Sequence, residues 1–464
     1  MKVALVNPYP YYSTGIESTL YPPLGILYIG GYISSMVDSL LILDSNALHL
    51  GVEATYRKII ESEPDIIGIS VNIATARAAR ELAELIRCRY KKALLVAGGP
   101  LPTVYPERWL DYVDVVIVGE GEIPFAEMIK RIKDRADLSS DNPGICIKGK
   151  PITRAPFADP DKIGYPAYEY LNPPLATYTK DARVVKPYMA PILTSRGCPY
   201  NCIFCDKSVH GSKFRPRSYQ SVLDEANWLR TKFDVNQLDI LDDNFSFDLL
   251  RTEKILNGLI RLGGFKINCQ NGLRADKVNQ ELVKTMKKAG VFKVGIGIES
   301  GSISVLKRID KKLDLEQVGK VIKWFRNERV TVHGYFILGF PFESADDIMQ
   351  TLKFAIDVNP HFANFSNFLP IPGTKLYKEL DSSNKLMRGG TLETECGFFR
   401  NDSLTAFENL TSEHASKLYK YVWRSFYLRP NKIIDILKTI KSRNEFIWIL
   451  RISISIVKRR LFIG

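Results

Sequence analysis

Three of the seven cysteines, Cys198, Cys202 and Cys205, fall within eight residues at the spacing C-x3-C-x2-C. Thiolates this close on one loop can converge on a single metal centre, and sulfur ligation suits an iron–sulfur cluster or zinc. Structural zinc asks for a fourth Cys or His, usually with ligands spaced in pairs, and His210 is the only close candidate. Three thiolates without a fourth point to a [4Fe–4S] cluster with one iron left open to a ligand that is not protein. The other four cysteines, Cys88, Cys146, Cys269 and Cys396, are scattered singly, as reduced thiols are, and argue against both a disulfide framework and a second cluster.

The loop Gly197-Cys198-Pro199-Tyr200-Asn201-Cys202-Ile203-Phe204-Cys205-Asp206 resembles the radical S-adenosylmethionine (SAM) superfamily, with Phe204 at the aromatic position. The resemblance implies that the open iron is chelated by the amino and carboxylate groups of SAM. It also implies that an electron from the cluster cleaves the sulfonium to a 5′-deoxyadenosyl radical. A reductase, ferredoxin or flavodoxin is then expected as electron donor.

The rest of the chain must position this loop. With 464 residues and 45% hydrophobic content, two or three domains with packed cores are expected. Over residues 1–135, apolar runs at Val3–Val6, Leu40–Leu43, Ile66–Val71, Ala93–Ala97 and Val113–Val118 alternate with helical patterns. This predicts an α/β unit, a Rossmann-like, doubly wound parallel sheet covered on both faces. Ligands of such sheets sit beyond the carboxyl ends of the strands, which here carry Asn7, Asp44, Ser70, Asn72, Gly98, Gly99, Glu120 and Gly121. Pro22-Pro23-Leu24-Gly25, Gly98-Gly99-Pro100 and Gly119-Glu120-Gly121-Glu122 together resemble the cobalamin-binding domain that precedes the radical SAM domain in one branch of that superfamily. The resemblance implies that these strand-end residues contact cobalamin. Asn46 stands where a D-x-H-x-x-G motif would put the His beneath cobalt. The lower face is therefore expected to carry water or no protein ligand, with His49 as a displaced alternative.

Residues 136–189, rich in Pro and Tyr, break the periodicity and read as an ordered segment wrapping from one domain to the next. From 190 to 375, six strand patterns with helical crossovers predict a partial (β/α)6 barrel, whose functional residues belong at the carboxyl rim. Asp243 follows the second strand, where a carboxylate can accept from an ammonium, and Arg274 follows the third, where a guanidinium suits a carboxylate. Family resemblance adds Phe204, Glu299, Ser300 and Gly339 as SAM contacts.

Residues 376–464 read as mostly helical, with Tyr419, Tyr421, Trp423, Phe426 and Tyr427 crowded as core or as cavity lining, and with Cys396 as a candidate hydrogen donor. The net charge is +13, and residues 424–464 hold ten Lys and Arg against two Asp and Glu. Ile447, Leu450, Ile454, Val457 and Leu461 would line one helical stripe beside these cations, although Ile452–Ile456 equally suits an edge strand. Peripheral contact with a membrane surface is expected from this composition. Nucleic acid is not, because no recognition module accompanies the charge. Neither a leader-like N-terminus nor an 18-residue apolar run is present, so a cytoplasmic protein reaching the inner face of a membrane is expected. The resemblance implies a methyltransferase acting on an unactivated carbon through a 5′-deoxyadenosyl radical and methylcobalamin, and the basic apolar tail adds the expectation of a lipid-like or other small hydrophobic substrate. A cyclisation or rearrangement with the same cofactors, and a non-catalytic cobalamin and iron–sulfur sensor, are the alternatives.

Overall fold

The computed structural model describes residues 1–10, 20–138, 142–180, 188–386, 408–440, 446, 447 and 450. In the first half, β1 (Lys2–Asn7), β2 (Ser39–Asp44), β3 (Ile66–Ser70), β4 (Leu94–Gly98), β5 (Val115–Ile117), β6 (Ile145–Ile147) and β7 (Leu171–Asn172) form one sheet. Its order is β6-β5-β4-β3-β1-β2-β7. All neighbours are parallel except β5 and β6. Alternate residues of β1 serve different layers. Val3 and Leu5 join the core that continues into the second half, while Ala4 and Val6 join the core that includes helices Val52–Ile60 and Ala76–Arg89. Burial on both faces is why these strands read as unbroken apolar runs. Strand order reverses between β1 and β3, which places a crevice at their carboxyl ends.

The second half contains β8 (Met189–Ile192), a short antiparallel ladder of β9 (Ser195–Arg196) with β10 (Arg215–Pro216), and then β11 (Gln237–Ile240), β12 (Lys266–Leu273), β13 (Val291–Glu299), β14 (Thr331–Leu338) and β15 (Phe362–Asn367). Strands β8 and β11 to β15 pair in parallel and in chain order, the partial barrel expected. Each crossover carries a helix: Tyr219–Phe233, Leu249–Leu262, Gln280–Lys288, Leu315–Asn327 and Ala345–Val358. All five start on a side-chain cap, from Ser218, Asp248, Asn279, Asp314 and Ser344 respectively. Such caps satisfy amides that a helix start leaves unpaired, and they lock the point at which each strand end turns into its helix.

The segment expected only to wrap between the domains does more. It supplies β6 and β7, one to each edge of the first sheet. Strands of three and two residues are too short to show a period, so sequence gave no sign of them. Past the barrel, helix Ser412–Tyr427 packs against β15 and helix Ala345–Val358, and helix Pro430–Leu437 packs against helix Ser412–Tyr427. Tyr419 and Phe426 are buried core, and the Tyr427 hydroxyl bonds both backbone groups of Ala363 on β15. Cys396 lies outside the described residues. Among the described residues, no helix is long and apolar enough to cross a membrane.

Candidate active site

The carboxyl ends of both sheets open into one cavity of about 730 Å³. The first sheet contributes Ser70, Gly98, Gly99, Glu120 and Gly121, and the cysteine loop contributes Cys198, Cys202, Phe204 and Cys205. The barrel rim adds Asp243, Arg274, Glu299 and Lys311. Residues some 200 positions apart in sequence thus face the same space.

The cysteine loop is pinched at its base by the β9–β10 ladder, where Arg196 and Arg215 lie directly opposite each other. Its tip is tied to the barrel: Ile203 N–H donates to the Ile309 carbonyl at 3.1 Å and its own carbonyl accepts from Leu376 N–H at 2.9 Å. The Phe204 ring meets Phe340 edge-on at 5.8 Å. The two adjacent carboxylates after β11 divide their work. Asp242 is buried and accepts from Thr194 N–H at 2.6 Å and from the Thr194 and Ser195 hydroxyls, whereas Asp243 accepts from Gly197 N–H at 3.1 Å and faces the cavity.

Glu120, expected as a cobalamin contact, is almost fully buried among cations. It pairs with Arg215, with Arg196 at 3.3 Å and with His210 Nδ1 at 2.8 Å. Burial alone would raise its carboxyl, but His210, Arg215 and Arg196 outweigh that and hold it at about 2. His210, the one candidate for a fourth zinc ligand, is thereby engaged elsewhere. At the barrel rim, Lys311 Nζ donates to Glu299 Oε1 at 2.7 Å, both side chains buried, with Glu299 in the left-handed region at φ 67°. Arg274 lies over the Tyr200 ring, 3.5 Å from its centre. Its Nε donates to Asp276 and its Nη2 to the carbonyls of Lys311 and Lys312, all at 2.9 Å. The free fork expected for a SAM carboxylate is therefore largely committed to protein acceptors.

Five expected contacts do not line the cavity. Asn7 donates to Asp44 at 2.8 Å, and Asp44 is buried and also accepts from the Tyr178 hydroxyl at 2.6 Å. Asn72 caps the turn leading to Thr75. The Ser300 hydroxyl is paired with Thr351, and Gly339 N–H with Glu343. Among residues that sequence reasoning missed, Lys311, Arg196 and Tyr200 line the cavity. Tyr200 lay in the cysteine motif, whereas Lys311, between Asp310 and Lys312, reads as a solvated charge run.

The donor set fits a cluster better than zinc. Three thiols are one ligand short of a closed zinc site, and His210 is paired with Glu120. Burial and the neighbouring thiols Cys202 and Cys198 push Cys205 up to about 12, although it is open to the cavity, and burial also raises Cys202. A cationic metal centre that takes them as thiolates would offset that cost. The first sheet offers bare backbone beside them. Gly99 has φ 107°, and a Cβ there would sit 2.6 Å from the Val71 carbonyl, so only glycine fits. A Cβ on Gly25 would meet nothing within 4 Å, because the cavity lies there. Such a floor suits close approach by a large flat ligand.

Family comparison agrees with this division. Residues 192–355 match the Radical SAM superfamily and residues 18–129 match the B12 binding domain. An uncharacterized methyltransferase of Pyrococcus horikoshii is 30% identical over 94% of each chain. The cytidylyl-2-hydroxyethylphosphonate methyltransferase of Streptomyces wedmorensis is 27% identical over 86% of this chain and 84% of its own. The anaerobic magnesium-protoporphyrin IX monomethyl ester cyclase of Rubrivivax gelatinosus is 25% identical over 82% of this chain and 70% of its own. The fold is shared with the cobalamin-dependent radical enzyme OxsB, at a TM-score of 0.75 and 18% identity over 99% of this chain and 72% of that one. With cysteine loop, glycine floor and both domain matches in agreement, the chain belongs to the cobalamin-dependent radical SAM methyltransferase family, whose cofactors are a [4Fe–4S] cluster, SAM and cobalamin.

Proposed function

We propose that this protein methylates an unactivated carbon of a lipid-like or otherwise hydrophobic small molecule. The observation that carries this reading is the single cavity shared by the three thiols, the glycine floor and the charged barrel rim. When bound, the cluster with SAM supplies a 5′-deoxyadenosyl radical and the corrinoid supplies the methyl group. The chain's own residues confine and orient. Cys198, Cys202 and Cys205 would hold the cluster, and the glycine floor would bed the corrinoid. The Lys311–Glu299 pair and Asp243 give the rim charges of both signs, which suit the zwitterionic amino-acid end of SAM. Leu24, Ile29, Val96, Ile117 and Phe125 form an apolar wall that excludes water from the space where a carbon radical must survive.

A hydrophobic acceptor is supported by that wall and by the C-terminal helix Pro430–Leu437. Ile433, Ile434 and Leu437 are about half exposed there, ahead of a strongly cationic stretch. Apolar side chains beside cations suit docking at an anionic membrane surface. A one-electron donor, whether a reductase, ferredoxin or flavodoxin, completes the set of partners.

The test is anaerobic incubation of the full-length protein with SAM, reductant, cobalamin and a lipid extract. S-adenosylhomocysteine and 5′-deoxyadenosine are each expected in step with a product heavier by one CH2. A ring-forming reaction, favoured by the likeness to the cyclase, would release deoxyadenosine without stoichiometric homocysteine product. A sensor would release no deoxyadenosine at all.

A further inference from the structure

Glu120 stands at the tip of the first sheet, yet its contacts are with the stem of the cysteine loop. Arg196 and Arg215, opposite each other across the β9–β10 ladder, both reach its carboxylate. His210, inside the loop, adds a third contact at 2.8 Å. Further ties run the same way. Arg196 Nη2 donates to Glu122 at 2.6 Å, Arg215 Nη1 to the Ala158 carbonyl at 2.8 Å, and Arg154 to the carbonyls of Ser208 and Val209. The Glu120 side chain is only 3% exposed, so water does not screen these pairs. Gly119 and Gly121 on either side of it line the cavity, as do the three thiols.

We propose that Glu120 is a positioning residue that couples the corrinoid-binding sheet to the cluster-bearing loop, so that filling one site sets the geometry of the other. A shift of the Gly119–Glu122 turn is passed to both stem strands, because Glu120 pairs with Arg196 and Arg215 together and Glu122 holds Arg196 a second time. Without it, Arg215 would lose its carboxylate partner and Arg196 would keep Glu122 alone, so the two stem strands would no longer share one anion. The thiols would then keep their spacing to one another and lose their register with the glycine floor. This inference rests on the family assignment and is independent of which substrate is methylated.

The experiment uses full-length protein, either reconstituted with the cluster or left without it, titrated with hydroxocobalamin. Wild type is expected to bind hydroxocobalamin at least about 5-fold more tightly with the cluster in place, the lower end of coupling between linked sites. Glu120→Gln is expected to lose that difference while both sites still fill. Arg215→Lys, which keeps the charge but not the fork, is expected to fall between. Iron content and thermal unfolding check that site and fold persist. The EPR signal of the reduced cluster is expected to shift on adding hydroxocobalamin in wild type and to stay put in Glu120→Gln. Equal preference in wild type and Glu120→Gln, or no preference in wild type, overturns the proposal. So does a Glu120→Gln chain that fails to fold while Arg215→Lys keeps the full wild-type ratio.

Discussion

Lys311 and Glu299 form a buried ion pair at the cavity wall, and removing one partner strands the other. Lys311→Met is expected to cost about 3 kcal/mol or more in urea unfolding, the usual penalty for an uncompensated buried charge. Adding Glu299→Gln should recover part of that loss, a coupling that a double-mutant cycle reads directly. A second residue gives a pH signature. Burial pushes the Glu343 carboxyl up to about 8, from an ordinary value of 4.5, despite the Gly339 and Phe340 amides it accepts from. The folded state therefore holds this proton more tightly than the unfolded chain. Its contribution is full below 4.5 and is lost as pH rises through about 8. Glu343→Gln keeps an acceptor for both amides and should flatten the fall in thermal midpoint over that window. At this scale, sequence was legible where chemistry is local. The cysteine spacing and the Gly98-Gly99 turn are contiguous motifs, and Arg274 and Glu299 follow strands. Lys311 and Arg196 carry no such mark, because their burial is decided by elements far off in the chain.

Element by element, long periodic segments were the readable ones. Apolar residues recur at helical spacing over 315–327 and in strand-like apolar order over 331–338, and helix Leu315–Asn327 and strand Thr331–Leu338 have those bounds. The edge strands β6 and β7 stayed hidden, since register with a neighbour, not side-chain pattern, makes them strands. Their wrapping segment also explains a packing constraint. In helix Leu24–Ile33, a Cβ on Gly31 would lie 2.0 Å from the Tyr165 carbonyl, whereas one on Gly25 would meet nothing within 4 Å. Gly31→Ala is expected to destabilise by about 1–3 kcal/mol through overpacking. Gly25→Ala is expected to leave urea unfolding unharmed and to weaken hydroxocobalamin binding, because the added methyl enters the cavity. Equal stability of the two variants would contradict the packing described.

For the whole molecule, the arrangement that matters is two parallel sheets opening into one space, followed in sequence by a cationic, partly apolar terminus of which helix Pro430–Leu437 is described. If that terminus docks at membranes, the triple variant Ile433→Glu, Ile434→Glu and Leu437→Glu should keep its thermal midpoint. It should also lose co-sedimentation with vesicles containing phosphatidylserine. Unchanged co-sedimentation would remove the membrane reading and leave the chemistry untouched. The measurement closest to the centre of the account is metal and sulfide analysis of anaerobically prepared full-length protein, joined to EPR of the reduced sample before and after adding SAM. One [4Fe–4S] cluster per chain, lost in Cys202→Ala, with a signal that SAM shifts, is the predicted result. Zinc in place of iron and sulfide, or a cluster whose signal SAM leaves unmoved, would contradict it.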